Sequence, residues 1–321
     1  MTAYLGIDIA KSKFDIALLQ GNKYKFKILK NNNKGFEELC IWLEDKDIKA
    51  LHVCLEATGA YGVALSYYLW DRGFMVSVVN PAKIKAFAQS ELSRTKTDKA
   101  DSKVIARYCR AIKPLAWEPL PEHVCLLQGW IRRLKALQSI YQEEMNRFEV
   151  AQAPVQADIQ EIMTFLAKKI KDVRKIIRDH IENHPDLRNK KELLKTIPGV
   201  GEATIAQILS FMATPERFKS PKQLVAFVGL NPRERQSGSS VHGKTKLSKT
   251  GDSALRKALY MPAITAKKHN PIVRTFCARL EKAGKPPMVI IGAAMRKLLH
   301  IMYGVLKSGK PFDANLNIIV T

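Results

Sequence analysis

Four acidic residues have the types and spacing that phosphodiester chemistry requires. Asp8 lies inside an apolar run and Glu56 ends a second one, and both runs are predicted to be buried strands. Asp98 and Asp101 stand three positions apart, so they share one face of a predicted helix. Carboxylates that converge in this way can bind two divalent cations, which hold the attacking and leaving oxygens of a phosphodiester. The sequence therefore predicts a metal site built by two strands and a helix.

Spacing alone does not single out these four acids. Asp15, Glu37 and Asp71 belong to the same region of the chain. Asp98 and Asp101 also fit a solvated helix face or favourable charges in a first helical turn. A carboxylate in a buried strand of a basic protein nevertheless favours a metal-dependent phosphodiester enzyme over a non-catalytic binder.

A serine-rich loop is the second candidate site. Ser237, Ser239 and Ser240 stand among arginines and lysines, so a hydroxyl could reach a phosphate while cations stabilise the developing charge. The alternative is a flexible basic turn. His242 is predicted to be a phosphate contact or an exposed residue rather than a general base. The cations predicted to contact nucleic acid are Arg233, Arg235, Lys244 and Lys249.

The charge balance indicates a polyanionic partner. The chain has 53 Lys and Arg against 30 Asp and Glu, a net charge of +23 over 321 residues. Such an excess suits nucleic acid bound through counterion release. The basic residues are spread along the chain, which argues against an anionic membrane. We expect no membrane span and no signal peptide, and free thiols at the five cysteines, as in a reducing cytoplasm.

A glycine-rich turn indicates a further contact with nucleic acid. The segment Leu193–Leu209 reads as a helix, a Pro-Gly-Val-Gly turn and a second helix, which is a helix-hairpin-helix pattern. Gly199 and Gly201 would let the backbone approach a phosphate at the N-terminus of the second helix. The alternative is a tight helical turn that binds nothing.

The fold class predicted from these patterns is α/β plus α. Three consecutive strands followed by alternating helices and strands predict an RNase H-like domain over residues 1–124, with Asn33 as the cap of its first helix. Residues 125–190 have apolar positions at helical spacing, including a seam from Ile159 through Ile162 to Ile181. That seam fits either a helical hairpin packed on its own domain or a coiled-coil-like dimerisation arm. Residues 191–321 form a mostly helical third domain.

Short motifs along nearly the whole chain resemble those of one family. They are Gly6-Ile7-Asp8-Ile9-Ala10-Lys11, Cys54-Leu55-Glu56-Ala57-Thr58-Gly59, Asn80-Pro81-Ala82, Lys96-Thr97-Asp98-Lys99-Ala100-Asp101, Ile197-Pro198-Gly199-Val200-Gly201, Gly229-Leu230-Asn231-Pro232 and Ser237-Gly238. In this order they resemble the DEDD-type transposases of insertion sequences, which are relatives of the Piv/MooV DNA invertases.

The resemblance implies a RuvC-like domain, a helical linker and a C-terminal transposase domain. It maps four metal-binding acids onto Asp8, Glu56, Asp98 and Asp101, and a catalytic serine onto Ser237, with Mg²⁺ or Mn²⁺ as cofactor. It also implies donor and target DNA, a guide RNA from the same element, a dimer or tetramer, and a prokaryotic, nucleoid-associated protein. A junction-resolving endonuclease that uses metal-activated water, or a non-catalytic nucleic-acid binder, is the alternative.

Overall fold

A computed structural model describes residues 2–46, 48, 50–57, 59, 61–92, 97–237 and 241–315, without the side chains of residues 234–245. The chain forms two compact units, Met1–Pro119 and Leu120–Thr321, which we call the N-terminal and C-terminal units. By packing, the helical segment after residue 125 therefore belongs to the same unit as the C-terminal segment. The three-part functional division stays a prediction.

The N-terminal unit is a five-stranded sheet with helices. Its elements are β1 (Thr2–Ile9), β2 (Lys13–Gln20), β3 (Lys23–Lys30), α1 (Asn33–Glu44), β4 (Ala50–Glu56), α2 (Val63–Asp71), β5 (Met75–Val79), α3 (Pro81–Ser90) and α4 (Asp98–Ile112). The strand order is β3-β2-β1-β4-β5. The first three strands are antiparallel, whereas β4 and β5 run parallel to β1. This mixed sheet is the arrangement that the RNase H-like prediction requires.

The two faces of this sheet carry different helices. Leu5, Ile7 and Leu55 point to the face covered by α1, where they share a core with its Phe36 and Leu39. The alternate strand residues point to the face covered by α4, because side chains alternate along a strand. The helix α4 therefore lies over the face that carries Asp8 and Glu56.

Gly6 sets how closely α4 approaches the sheet. A Cβ atom on Gly6 would lie 2.2 Å from the Ser102 carbonyl oxygen and 2.3 Å from the Ala106 nitrogen. Only a residue without a side chain allows this contact between a strand and a helix backbone. The close approach brings the N-terminal turn of α4 to the carboxyl end of β1.

Caps fix where the helices around the site begin. Thr97 caps α4 by accepting a hydrogen bond from the Ala100 nitrogen at 3.2 Å, which places Asp98 and Asp101 in the first turn. The cap of α1 is Asn32, whose side chain accepts from the Gly35 nitrogen at 3.0 Å. The prediction of Asn33 as this cap was therefore wrong by one residue, since both asparagines precede the same apolar pattern.

The C-terminal unit is mostly helical. Its elements are α5 (Glu122–Val150), α6 (Ala153–Asn183), α7 (Pro185–Lys195), α8 (Glu202–Met212), a 3₁₀ turn (Pro215–Arg217), α9 (Pro221–Val228), β6 (Pro232–Ser237), β7 (Val241–Leu247), α10 (Ser253–His269), α11 (Pro271–Lys282) and α12 (Pro287–Ser308). One hydrophobic core extends from Val124 in α5 to Leu306 in α12.

The helices α5 and α6 form a long hairpin, as one of the two sequence interpretations predicted. The seam of α6 runs through Ile159, Met163 and Leu166, then on to Ile181. Met163 is buried, whereas Ile162 is 41% exposed, so the prediction of Ile162 in the seam was wrong. Both residues fit the spacing of three and four, and only the pitch of the paired helices decides between them.

The helix α12 is long and apolar enough to cross a membrane by length and composition, with a mean hydropathy of 1.5 over its best window. However, 67% of that window is buried inside the protein. His300, which is also buried, lies in the same helix. These features are those of a core helix.

Candidate active site

The sheet register brings three acids into one row. The antiparallel pairing of β1 with β2 places Asp8 opposite Asp15. The parallel pairing of β1 with β4 continues from Ile7 and Leu55, so Asp8 also lies beside Glu56. The first turn of α4 adds Asp98 and Asp101 above this row, and both carboxylates act electrostatically on Asp8.

Asp8 is at the electrostatic centre of the cluster. Burial raises the pKa of the Asp8 carboxyl to about 6, and the negative charges of Asp101, Asp98, Glu56 and Asp15 add to that rise in this order. A carboxyl surrounded in this way is costly to ionise in the folded protein. A cation among these oxygens would lower that cost.

Glu56 has a similar environment. Burial raises the pKa of the Glu56 carboxyl, and the negative charge of Asp101 raises it further. Glu56 closes β4 and Asp101 lies in α4, so this coupling joins the sheet to the helix. The four acids predicted from the sequence therefore form one electrostatic group.

Lys13 is a residue that the sequence reasoning missed. Its Nζ donates a hydrogen bond to Asp98 Oδ2 at 2.7 Å and lies 3.0 Å from Asp15 Oδ2. The hydrogen bond from Lys13 lowers the pKa of the Asp98 carboxyl. Residues 13 and 15 of a strand share one face, so alternation along β2 was the signal that could have found this pair.

The donor set matches a hard divalent cation in its chemistry. Carboxylate oxygens are the ligands that Mg²⁺ and Mn²⁺ accept. Four neighbouring carboxylates add to the rise that burial causes in the pKa of Asp8. Among the residues that the structure describes, no group of three or more His, Cys, Asp or Glu is already arranged to hold a metal ion. Lys13 bonds one oxygen of Asp98, so a cation bound there would compete with this ammonium for that oxygen.

Of the three other acids named as alternatives, one lies beside Asp8 and two lie elsewhere. Asp15 is 6% exposed and belongs to the row. Glu37 lies exposed in α1, on the opposite side of the sheet, and Asp71 ends α2. Neither contributes to the shifted pKa of Asp8. Asp15 is therefore the fifth member of the acidic cluster.

The predicted helix-hairpin-helix is present as α7, a turn and α8, but its two glycines differ in role. Gly199 has a φ of 96°, and a Cβ there would lie 2.7 Å from the Ala266 nitrogen of α10. Gly199 therefore serves internal packing. A Cβ on Gly201 would meet nothing within 4 Å, so Gly201 leaves the N-terminus of α8 open. A shallow recess of about 440 Å³ lies beside this turn.

The predicted serine loop begins at the end of a strand pair. Ser237 is the last residue of β6, and its backbone pairs with Val241 of β7. Its side chain, those of Arg235 and Lys244, and all of Gly238–Ser240 lie outside the described part of the chain. Arg233 and Lys249 are exposed.

Comparison with known proteins decides the family. The chain is 34% identical over 317 residues to the "Pilin gene-inverting protein" of Moraxella lacunata, covering 98% of each chain. The chain belongs to the IS110-type DEDD transposase and recombinase family. The family model named DEDD_Tnp_IS110 and described as "Transposase" matches residues 5–151. A second family model, described as "Transposase IS116/IS110/IS902 family", matches residues 191–278.

Other similarities of this IS110-type chain are weaker. An "Insertion element IS110 uncharacterized 43.6 kDa protein" of Streptomyces coelicolor is 25% identical over 136 residues, which is 42% of this chain and 32% of that protein. The solved structure titled "T. thermophilus RuvC in complex with Holliday junction substrate" is 13% identical with a TM-score of 0.29. It covers 36% of this chain and 100% of the RuvC chain.

Proposed function

We propose that this IS110-type recombinase cuts and rejoins DNA with a divalent-metal site at Asp8, Glu56, Asp98 and Asp101 and a nucleophilic serine at Ser237. The observation that carries the metal site is the electrostatic convergence of the other three carboxylates on Asp8. A bound Mg²⁺ or Mn²⁺ would supply Lewis-acid polarisation of the scissile phosphate. The carboxylates would hold that charge at a fixed place on the sheet.

In this proposal, Ser237 forms the covalent link. Its Oγ loses its proton and attacks the phosphorus, so that a new P–O bond forms. The bond to the leaving sugar oxygen breaks as that oxygen takes up a proton. The phosphoserine conserves the phosphodiester energy. A hydroxyl of the second DNA strand then attacks the phosphorus and releases Ser237, so rejoining requires no ATP.

The partners of the proposed reaction follow from charge and family. The net charge of +23 supports binding of donor and target DNA. We also propose a guide RNA, a dimer or tetramer that performs two strand exchanges, and action on the chromosome in the cytoplasm of a prokaryote. Sequencing of RNA that copurifies with the protein tests the guide, and a random set of cellular RNAs would contradict it.

Trapping on a suicide DNA substrate tests the serine. The wild-type protein should form a DNA adduct that resists denaturant, and peptide mapping should place the adduct on Ser237. Ser237→Ala should lose both cleavage and adduct, whereas Ser237→Cys retains a trace of activity because a thiol is nucleophilic. An adduct on Ser239 or Ser240 would correct the residue. Full cleavage by Ser237→Ala without an adduct would instead indicate a nuclease that uses water.

A further inference from the structure

The strand β3 alternates cations with large apolar residues. Its sequence is KYKFKILK, with four lysines in eight residues. Tyr24, Phe26 and Ile28 point to the face of the sheet that α4 covers, since Tyr24 packs on a cluster that includes Ala106 of α4. Phe26 is 38% exposed and Ile28 is 62% exposed. This exposed apolar surface at the edge of the sheet is therefore a candidate binding surface.

Two lysines of α4 cover the aromatic rings of β3. The rings of Tyr24 and Phe26 lie 6.0 Å apart and are inclined by only 13°. Lys99 Nζ lies 4.5 Å from the centre of the Phe26 ring. Lys103 Nζ lies 4.8 Å from the centre of the Tyr24 ring. These cation–π contacts hold both ammonium groups beside β3.

Arg110 extends the same line of cations. Its Nη1 donates a hydrogen bond to the Gly21 carbonyl oxygen at 2.9 Å, at the turn before β3. Within the described ranges, no carboxylate forms a salt bridge with Lys99, Lys103 or Arg110. On a helix, residues 99 to 110 span about 16 Å. Three cations in a row without anionic partners are suited to a polyanion.

The β3–α4 strip, which we define as Tyr24, Phe26, Ile28, Lys99, Lys103 and Arg110, adjoins the acidic cluster. Ile28 pairs with Asp15, which in turn pairs with Asp8, so the strip continues the row of the acids. Lys99 follows Asp98 directly in α4. A strand bound along the strip would therefore have one end at the carboxylates.

We propose that the β3–α4 strip binds a single-stranded segment of the DNA substrate and delivers it to the acidic cluster. This inference rests on the proposed function for the identity of the substrate. The lysines and Arg110 contact phosphates, while the exposed side of Phe26 and Ile28 supports unstacked bases.

The charge pattern argues against another protein strand as the occupant. β3 is at the edge of the sheet, where its free backbone groups could pair with a second copy of the chain. However, its four lysines would face the same four lysines of the other copy, and lysine on an edge strand opposes such pairing. Nucleic acid supplies the opposite charge.

Salt-dependent binding of single-stranded DNA tests the strip. The measurement uses the full-length protein in EDTA, so that no cleavage occurs, and a fluorescent oligonucleotide. The double variant Lys99→Gln/Lys103→Gln should reduce the slope of log K against log salt by about 1.4, because each single-strand phosphate contact contributes about 0.7. Affinity near 0.1 M salt should fall about 25-fold. Phe26→Ala should weaken binding without changing the slope.

The matched control removes two lysines from the other side of the sheet. Lys34 and Lys46 belong to α1 and its C-terminal end, and Lys46 also lies over an aromatic ring, Trp42, at 5.3 Å. Lys34→Gln/Lys46→Gln should retain the wild-type slope. Lys99→Arg/Lys103→Arg keeps both charges and should also have the wild-type slope, unlike the glutamine variant. An unchanged slope for the glutamine variant, or a loss seen with RNA alone, would overturn the proposal.

The slope measurement tests the β3–α4 strip, and the adduct measurement tests the proposed recombinase chemistry, so either proposal can fail alone. If the adduct on Ser237 forms but the slope is unchanged in Lys99→Gln/Lys103→Gln, the strip is wrong and the proposed function stands. If the slope falls but no adduct or cleavage is found with any DNA, the strip stands and the proposed chemistry fails.

Discussion

Asp8 shows how a residue can be costly for folding and still fit a function. Its carboxyl is half-buried between Asp15 and Glu56, with two more carboxylates in α4. Burial and like charge both oppose its ionisation, so the folded protein holds unfavourable electrostatic energy at pH 7. A divalent cation would reverse the sign of that energy. The arrangement is therefore expected where a cation binds.

Asp8→Asn should stop DNA cleavage and raise the stability of the protein. The pKa of Asp8 is about 6 in the folded protein against 3.8 ordinarily. A raised folded pKa gives stability that is present below the ordinary pKa and is lost as the pH rises through about 6. An uncharged amide avoids that loss, so the variant should gain about 2 kcal/mol at pH 7. Thermal unfolding in EDTA measures the gain.

The pH dependence provides the control for Asp8. The difference between Asp8→Asn and the wild type should shrink as the pH falls below about 6 and disappear well below 3.8, where the carboxyl is protonated in both the folded and the unfolded protein. Glu38→Gln in α1 removes one exposed charge and should change stability little. A variant that is less stable than the wild type at pH 7, or that cuts DNA normally in Mg²⁺, would refute the assignment.

The effect of Lys13 on the metal site can be measured as a change in Mn²⁺ affinity, without a DNA cleavage assay. Its ammonium occupies an oxygen of Asp98 that a divalent cation would need. Lys13→Gln removes this competing charge and should tighten Mn²⁺ binding about threefold, an effect of the size expected for an exposed ion pair. Calorimetric titration with Mn²⁺ measures it. Lys11→Gln, an exposed neighbour, should bind like the wild type, and weaker binding by Lys13→Gln would show that Lys13 supports the site.

At the scale of elements, the sequence predicts what local patterns encode. Apolar runs predicted the strands of Asp8 and Glu56, and the spacing of Asp98 and Asp101 predicted their shared helix face. The close approach of α4 to Gly6 was not predictable, because a glycine in a strand indicates a close contact but does not show which element makes it. In the structure that partner is α4, at Ser102 and Ala106.

The missed contacts share one physical reason. The bridge from Lys13 to Asp98 joins residues 85 positions apart, and only the packing of α4 on the sheet creates it. The contrast between Met163 and Ile162 likewise depends on the pitch of two paired helices. Gly199 resembles a phosphate-binding glycine in sequence, and its close approach to Ala266 could not be predicted from that pattern. Tertiary packing made each of these choices.

At the scale of the whole molecule, the proposed catalytic groups belong to different units. The four acids lie in the N-terminal unit, and Ser237 ends a strand of the C-terminal unit. The hairpin of α5 and α6 lies between them in the chain and exposes apolar residues such as Phe165, which is 58% exposed. An oligomer that covers such residues would allow the acids of one subunit to act with the serine of another.

Mixing two inactive variants tests this assembly. Asp8→Asn lacks the acid and Ser237→Ala lacks the serine, and each alone should be inactive. In a mixed oligomer, the acids of the Ser237→Ala subunit can meet the intact serine of the Asp8→Asn subunit, so one complete site forms. Co-refolded or co-expressed mixtures should therefore regain cleavage and the phosphoserine adduct, and the adduct should lie only on the Asp8→Asn chain. A mixture of Asp8→Asn with Glu56→Gln should stay inactive, because both lesions affect the same acidic cluster. A mixture of Asp8→Asn with Ser237→Ala that stays inactive while mixed oligomers form would show that each site is built within one subunit.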